Sequence, residues 1–70
     1  MVYDTLTKRE KEVLDYLIDG LSNEEIARLL FLSEGRIGAI VMQLYDKYGA
    51  DYEPKRVKLV LKRLKEMGKI

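Results

Sequence analysis

Residues 20–33 read GLSNEEIARLLFLS, and this stretch carries the signals of two helices joined by a short turn. Ser22 is followed three residues later by Glu25, a capping-box pattern that marks the start of a helix. Apolar side chains then recur at helical spacing up to Leu30. Ser33 follows almost at once and is a good cap for another helix. The stretch therefore predicts a short helix, a tight turn and the start of a second helix.

Similar start and stop signals lie on both sides of this stretch. Thr7 and Glu10 form another capping-box pattern, and the apolar run behind them ends at Gly20. Pro54 is well placed at the first position of a last helix, which Gly68 ends. No strand pattern and no internal repeat competes. We expect one all-α domain over residues 1–70, a four-helix helix-turn-helix fold with helices at about 8–19, 23–30, 34–48 and 54–67.

The amino-acid composition limits the classes of function that the chain can have. Seventy residues lie near the lower size limit for a self-sufficient core, which leaves little room for a catalytic cleft. Cysteine and histidine are absent, and no carboxylates group around a nucleophile, so we expect no enzyme activity, no metal and no cofactor. No apolar run approaches the roughly 20 residues of a membrane helix, and the N-terminus lacks a signal-peptide pattern. We expect a cytoplasmic protein.

Charge is distributed unevenly along the chain. Residues 1–53 hold 6 Lys or Arg and 11 Asp or Glu, whereas residues 54–70 hold 7 basic residues and 1 acidic residue. A basic last helix on an acidic body indicates contact with phosphate or with the acidic surface of another molecule.

Three segments of the first 33 residues carry a resemblance to a known family. They are LTKREKEVL at 6–14, GLSNEEIA at 20–27 and LFLS at 30–33. The chain resembles the LuxR-type, or GerE-like, DNA-binding domain of bacterial transcription regulators. The resemblance implies that the second and third helices bind double-stranded DNA, that the third enters the major groove, and that the fourth supports a homodimer. Sequence-specific DNA binding in transcriptional regulation is the function it implies.

The third helix departs from the family pattern. After the serine, the family usually has threonine, lysine and histidine where this chain has Arg36, Gly38 and Ile40. Met42 stands at a further position that is often cationic in the family. The helix that should read DNA is therefore short of positive charge.

A helical projection divides the third helix into two faces. We expect an inward stripe of Ile37, Ile40, Val41, Leu44 and Tyr48. Gly35, Gly38, Ala39, Met42 and Asp46 should face outward. Two glycines within a helix cost roughly 1–2 kcal/mol relative to alanine, which indicates that another backbone packs closely against this face.

We assign the DNA contacts by chemistry. Ala39 and Met42 suit thymine methyl groups, while Arg36 and Gln43 suit hydrogen bonds to base edges. Ser33 caps a helix end that can approach a phosphate. The full set of predicted DNA-binding residues is Arg28, Ser33, Arg36, Gly38, Ala39, Met42, Gln43 and Lys47, with Arg28 and Lys47 on the DNA backbone.

Two alternatives remain for the third helix. A small, smooth surface ending in flexible Met42 also suits a partner helix, which would make the domain a protein-interaction or dimerisation module. The same residues could also have drifted in a domain that no longer reads sequence. Salt dependence of duplex binding separates DNA recognition from the interaction module.

The fourth helix is expected to contribute both to the core and to a dimer. Its predicted inward stripe is Val57, Val60, Leu61, Leu64 and Met67. Leu59 falls outside that stripe among lysines, so we assign the dimer contact to Leu59, Lys55 and Lys62. A solvated basic face is the alternative.

Overall fold

The computed structural model describes all residues, Met1–Ile70. A 3-10 helix at Val2–Thr5 precedes four α-helices, which are α1 (Lys8–Ile18), α2 (Asn23–Leu30), α3 (Glu34–Tyr48) and α4 (Lys55–Glu66). There is no strand, and the predicted all-α class is confirmed. None of the helices combines the length and the apolar character that crossing a lipid bilayer requires.

Reciprocal side-chain caps fix where α1 and α2 begin. Glu10 N–H donates to Thr7 Oγ1 at 3.2 Å, and Thr7 N–H donates to Glu10 Oε1 at 2.8 Å. Ser22 and Glu25 make the same two bonds, at 3.2 Å from Glu25 N–H and at 2.9 Å from Ser22 N–H. Each pair satisfies two N–H groups that would otherwise lack a partner at the helix start, as the sequence patterns predicted.

The hydrophobic core lies mainly between α1, α2 and α3. The central helix is α3, which packs against each of the other three. Its buried residues are those predicted for the inward stripe, Ile37, Ile40, Val41, Leu44 and Tyr48. Burying a side chain of this size stabilises the fold by about 1.5–3 kcal/mol, so this stripe fixes the rotation of α3 about its axis.

The turn between α2 and α3 is closed by a left-handed residue that is not glycine. Phe31 has φ 58° and ψ 40°, and its side chain is 94% exposed. Leu32 N–H donates to the Ala27 carbonyl at 3.0 Å, which satisfies a free carbonyl at the end of α2. Ala27 itself is buried, where its small side chain allows a close helix crossing. This short turn confirms the helix-turn-helix arrangement.

The orientation predicted for the fourth helix is wrong. Leu59, assigned to the surface, is fully buried in the core. Val57 and Leu61, assigned to the core, are 52% and 43% exposed. The side of α4 that carries Leu59 therefore faces the core instead of the side that carries Val57 and Leu61, and Leu59 cannot contact a second molecule.

Arg56 shows why the charged side of α4 turns inward. Its Nη1 donates to Asn23 Oδ1 at 2.9 Å, and its Nη2 donates to the Leu21 carbonyl at 2.7 Å. These bonds tie the start of α4 to the start of α2. Arg56 is only half-buried, and with these acceptors its guanidinium can lie on the same side as Leu59 without unsatisfied hydrogen-bond donors.

Glu66, at the other end of α4, is likewise bound by residues outside the helix. Its carboxylate accepts hydrogen bonds from the Tyr48 hydroxyl and from Tyr3 N–H. Burial alone would raise the pKa of Glu66, but the hydrogen bonds from the Tyr48 hydroxyl and from backbone N–H groups, together with the nearby Arg63 charge, hold the pKa below its usual range. Burial and the bond to Glu66 raise the pKa of Tyr48. Arg63 completes the cluster, with its guanidinium 3.5 Å from the centre of the Tyr3 ring.

Candidate nucleic-acid interface

One face of α3 is left uncovered by the rest of the domain. Arg36, Ala39 and Gln43 are exposed, Gly38 is half-buried, and Met42 is 57% exposed. The core and α4 occupy the opposite side of the helix. We call the free side the outward face of α3 and define it as Gly35, Arg36, Gly38, Ala39, Met42 and Gln43. Asp46, also predicted outward, is exposed nearer the end of the helix.

The two glycines of this face have no role in packing inside the domain. A Cβ atom built on Gly35 or Gly38 would meet no atom within 4 Å. Neither residue needs a left-handed backbone, since neither has a positive φ. Alanine at either position would favour the helix by up to about 1 kcal/mol. The absence of side chains leaves the backbone of α3 open to close approach by another molecule.

Ser33 closes the start of α3. Its Oγ accepts a hydrogen bond from Arg36 N–H at 3.1 Å. The N–H groups of Glu34 and Gly35 have no acceptor within the chain. They point out of the helix end that carries positive partial charge, which is a favourable environment for a phosphate oxygen. The carboxylate of Glu34 lies in the same first turn and opposes an anion there.

Lys47, predicted to contact the DNA backbone, has a partner inside the domain. Its Nζ lies 2.8 Å from Oε1 of Glu10, which is only 4% exposed. The hydrogen bonds from Lys47 and from Thr7 N–H lower the pKa of Glu10. The ion pair joins the end of α3 to the start of α1, beside an open groove of about 370 Å³ lined by Thr7, Glu10, Gln43, Asp46 and Lys47. Glu10 therefore offsets the charge of Lys47 within the domain, and the predicted contact of Lys47 with the DNA backbone stays a prediction.

The other predicted cations, Arg28 and Arg36, are more accessible to DNA. Arg28 Nη1 lies 3.2 Å from Glu24 Oε1, and both side chains are mostly exposed. Such a surface pair is worth only about 0–1 kcal/mol, so a phosphate can replace Glu24. Arg36 is exposed and has no carboxylate within ion-pair distance. The outward face of α3 thus supplies one free cation.

A second exposed surface lies on α4. Val57 and Leu61 are exposed and share one side of the helix with half-buried Leu64, and we call these three residues the α4 stripe. Sequence reasoning missed this surface because it placed all three in the core. Of the predicted dimer residues, Lys62 is exposed and Lys55 is half-buried.

Lysines run along one edge of the α4 stripe. Lys58, Lys62 and Lys65, which we call the lysine flank, border an open groove of about 230 Å³ together with Gly49, Tyr52 and Leu61. Lys58 Nζ lies 4.0 Å from the centre of the Tyr52 ring. None of the three lysines has an ion-pair partner in the chain.

The short α2–α3 turn and the uncovered third helix define a helix-turn-helix domain. The sequence pattern described as bacterial regulatory proteins, luxR family, matches residues 4–62. The chain therefore belongs to the luxR family, which is a family of regulatory proteins and not of enzymes.

Three relatives illustrate the similarity. The chain is 50% identical over 42 residues to the CsgBAC operon transcriptional regulatory protein of Escherichia coli K12, a match that covers 60% of the chain and 19% of that relative. It is 46% identical over 44 residues to the Fimbriae Z protein of the same strain, covering 63% and 21%. It is 47% identical over 45 residues to the uncharacterized transcriptional regulatory protein YhcZ of Bacillus subtilis, covering 64% and 21%. The matched part spans about a fifth of each relative. No solved structure matches the chain.

Proposed function

We propose that this domain binds double-stranded DNA sequence-specifically in transcriptional regulation, with α3 in the major groove and α2 across the backbone. The observation that carries the proposal is the uncovered outward face of α3, with Gly35 and Gly38 open to the surroundings. Membership of the luxR family and the names of the relatives as transcriptional regulatory proteins support it. Such a regulator acts in the bacterial cytoplasm, where the DNA is.

Each residue of the outward face has a separate task in this proposal. Gly38 lets the helix backbone come close to the base edges, so that Ala39 and Met42 reach thymine methyl groups. Arg36 and Gln43 donate hydrogen bonds to base edges on one side of the groove. Ser33 orders the helix end that approaches a phosphate, and Arg28 adds a contact to the DNA backbone.

We further propose that the DNA-bound form is a dimer that pairs through the α4 stripe. The stripe consists of apolar side chains that the monomer leaves uncovered, whereas Leu59 is already used in the core. With two-fold symmetry, the two α3 helices would read half-sites about 34–36 Å apart, one turn of the duplex.

Fluorescence anisotropy of a labelled random duplex, measured from 50 to 300 mM KCl, tests the DNA proposal. We expect duplex affinity to fall steeply with salt, because phosphate contacts release counterions. Arg28→Ala should weaken binding and reduce the salt slope by about 1 per copy, because it removes a phosphate contact. Lys69→Ala, which removes the same charge at the C-terminus, is the matched control and should change the slope less. Undetectable binding at 50 mM KCl, or equal effects of the two variants, would contradict the proposal.

One observation favours a second candidate, a protein-docking role for the outward face of α3. The face offers a single free cation, while Met42, an adaptable apolar side chain, is 57% exposed. A partner helix lying against Gly38 and Ala39 would bury this surface with little electrostatic contribution. In that case, the anisotropy experiment would show no salt-dependent duplex binding.

A further inference from the structure

We propose that the lysine flank of α4 is an anion-binding edge that keeps two copies of the chain apart until a polyanion, the phosphodiester backbone of DNA, neutralises it. This inference rests on the proposed dimer through the α4 stripe. It makes self-association depend on salt in the opposite sense to DNA binding. Added salt should weaken DNA binding but strengthen pairing of the free chains.

The α4 stripe is too small to hold a dimer by itself. α4 has 12 residues, so its outward side is only about 18 Å long and about 10 Å wide. Stable interfaces bury about 800 Å² on each partner. A single helix face of this size falls well short of that area. Pairing through the stripe is therefore weak, and modest charge effects decide whether it occurs.

The charges beside the stripe oppose pairing. The outward side of α4 carries the lysine flank and no carboxylate, because the one acidic residue, Glu66, is turned inward and held by Tyr48 and Tyr3. When two stripes meet about a two-fold axis, whether the helices run parallel or antiparallel, no carboxylate of the partner's α4 faces the lysines. Asp51 and Glu53, two exposed acids in the loop before α4, pair with none of the three lysines.

The lysine flank is free to bind an anion. Lys62 and Lys65 are exposed, and the Lys58 ammonium lies over the ring of Tyr52 without an ion-pair partner. The groove between these side chains is open to solvent and large enough for a phosphate group. DNA carries one negative charge per about 1.7 Å of duplex, a density that can neutralise the flanks of two copies together. The flank would also supply phosphate contacts that the outward face of α3 lacks.

Sedimentation equilibrium of the full chain without DNA tests the inference. Between 50 and 500 mM KCl the Debye length falls from above about 10 Å to below about 5 Å, so repulsion between the two flanks is screened. We expect the dimer dissociation constant to fall about tenfold over this range. Lys62→Gln/Lys65→Gln should dimerise at 50 mM KCl about as well as the unmodified chain does at 500 mM. A dissociation constant that is unchanged or rises with salt would overturn the inference.

A matched control separates the flank from net charge. Lys8→Gln/Lys11→Gln removes the same charge from α1 and should leave the salt dependence of pairing intact. If it acts like the α4 double variant, net charge rather than the flank opposes pairing, and the inference fails. Leu61→Ser tests the stripe separately, and it should abolish pairing at both salt concentrations.

Addition of a random 20-base-pair duplex, and of inorganic polyphosphate as a probe without bases, completes the test. At 50 mM KCl both polyanions should produce dimers of the unmodified chain but not of Leu61→Ser. If duplex DNA binds while the chain stays monomeric on it and at every salt concentration, the inference is overturned and DNA binding through α3 still stands. If neither polyanion binds, the proposed DNA function fails as well.

Discussion

The outward faces of α3 and α4 are both uncovered, yet their side chains differ in size, charge and polarity. That of α3 is small and nearly uncharged, with two glycines, Ala39 and one free cation, Arg36. That of α4 combines an apolar stripe with three unpaired lysines. The difference indicates a division of tasks. Under the proposed function, close contact with base edges is assigned to α3, whereas association between copies and much of the phosphate attraction are assigned to α4.

The largest expected effect tests the orientation of α4. Leu59→Ala should lower the free energy of unfolding by about 2–5 kcal/mol, because it leaves a cavity at a fully buried position. Leu61→Ala deletes the same atoms on the exposed side and should cost under about 0.5 kcal/mol in the monomer. Urea denaturation at low protein concentration measures both. Equal losses in the two variants would show that α4 packs differently from the structure.

The next largest effect tests whether the ion pair of Lys47 with Glu10 stabilises the domain. Lys47→Met should lower the free energy of unfolding at pH 7 by about 1–2 kcal/mol, because Glu10 stays buried without its ionic partner. The pKa of Glu10 is lowered in the folded state, so this stabilisation is complete above its ordinary pKa of 4.5. It is lost as the pH falls through the lower, folded-state pKa.

Urea denaturation between pH 7 and pH 2.5 measures the Lys47 effect. The difference between Lys47→Met and the unmodified chain should shrink towards zero in acid. Lys69→Met, with no ionic partner in the chain, is the control and should show no such pH dependence. A loss in Lys47→Met that persists unchanged at low pH would mean that the ion pair is not its cause.

A smaller effect tests whether DNA packs closely against the outward face of α3. Gly38→Ala should raise the free energy of unfolding by about 0.5–1 kcal/mol, since the added methyl group meets nothing and favours the helix. The same methyl group should lower duplex affinity about fivefold, equal to about 1 kcal/mol, if the backbone approaches DNA there.

Gly20→Ala is the control for Gly38→Ala. Gly20 has φ 88°, so alanine should destabilise the fold while leaving duplex affinity per folded molecule unchanged. Thermal unfolding and anisotropy together give both quantities. A Gly38→Ala chain that is more stable and binds duplex DNA as well as before would show that no close approach occurs at this position.

The sequence was sufficient for α3 because burial there follows a simple rule. Ile37, Val41 and Leu44 are apolar and lie inward, while Gly35 and Gly38 lie outward, so helical periodicity separates the two faces. Capping boxes in the same way marked the starts of α1 and α2. Local chemistry was enough wherever side chains interact within a few residues of each other.

Helical periodicity predicted the wrong inward side for α4. The charged side chains on its actual inward side have hydrogen-bond partners in distant parts of the chain. Arg56 reaches Asn23 and Leu21, and Glu66 reaches Tyr3, partners that lie 33 to 63 residues away in sequence. Periodicity cannot foresee such bonds. The ion pair between Lys47 and Glu10 escaped prediction for the same reason. A lone acid in a basic helix, Glu66, was the one sign in the sequence that the charged side turns inward.

The central claim is that α3 meets DNA with its glycine-containing outward face. Chemical-shift titration of the uniformly ¹⁵N-labelled chain with a random duplex at 50 mM KCl tests it most directly. We expect the largest amide shifts at residues 34–43, with smaller shifts along the lysine flank and the α4 stripe. Shifts confined to α4, with the amides of Gly38 and Ala39 unchanged at saturation, would contradict the claim.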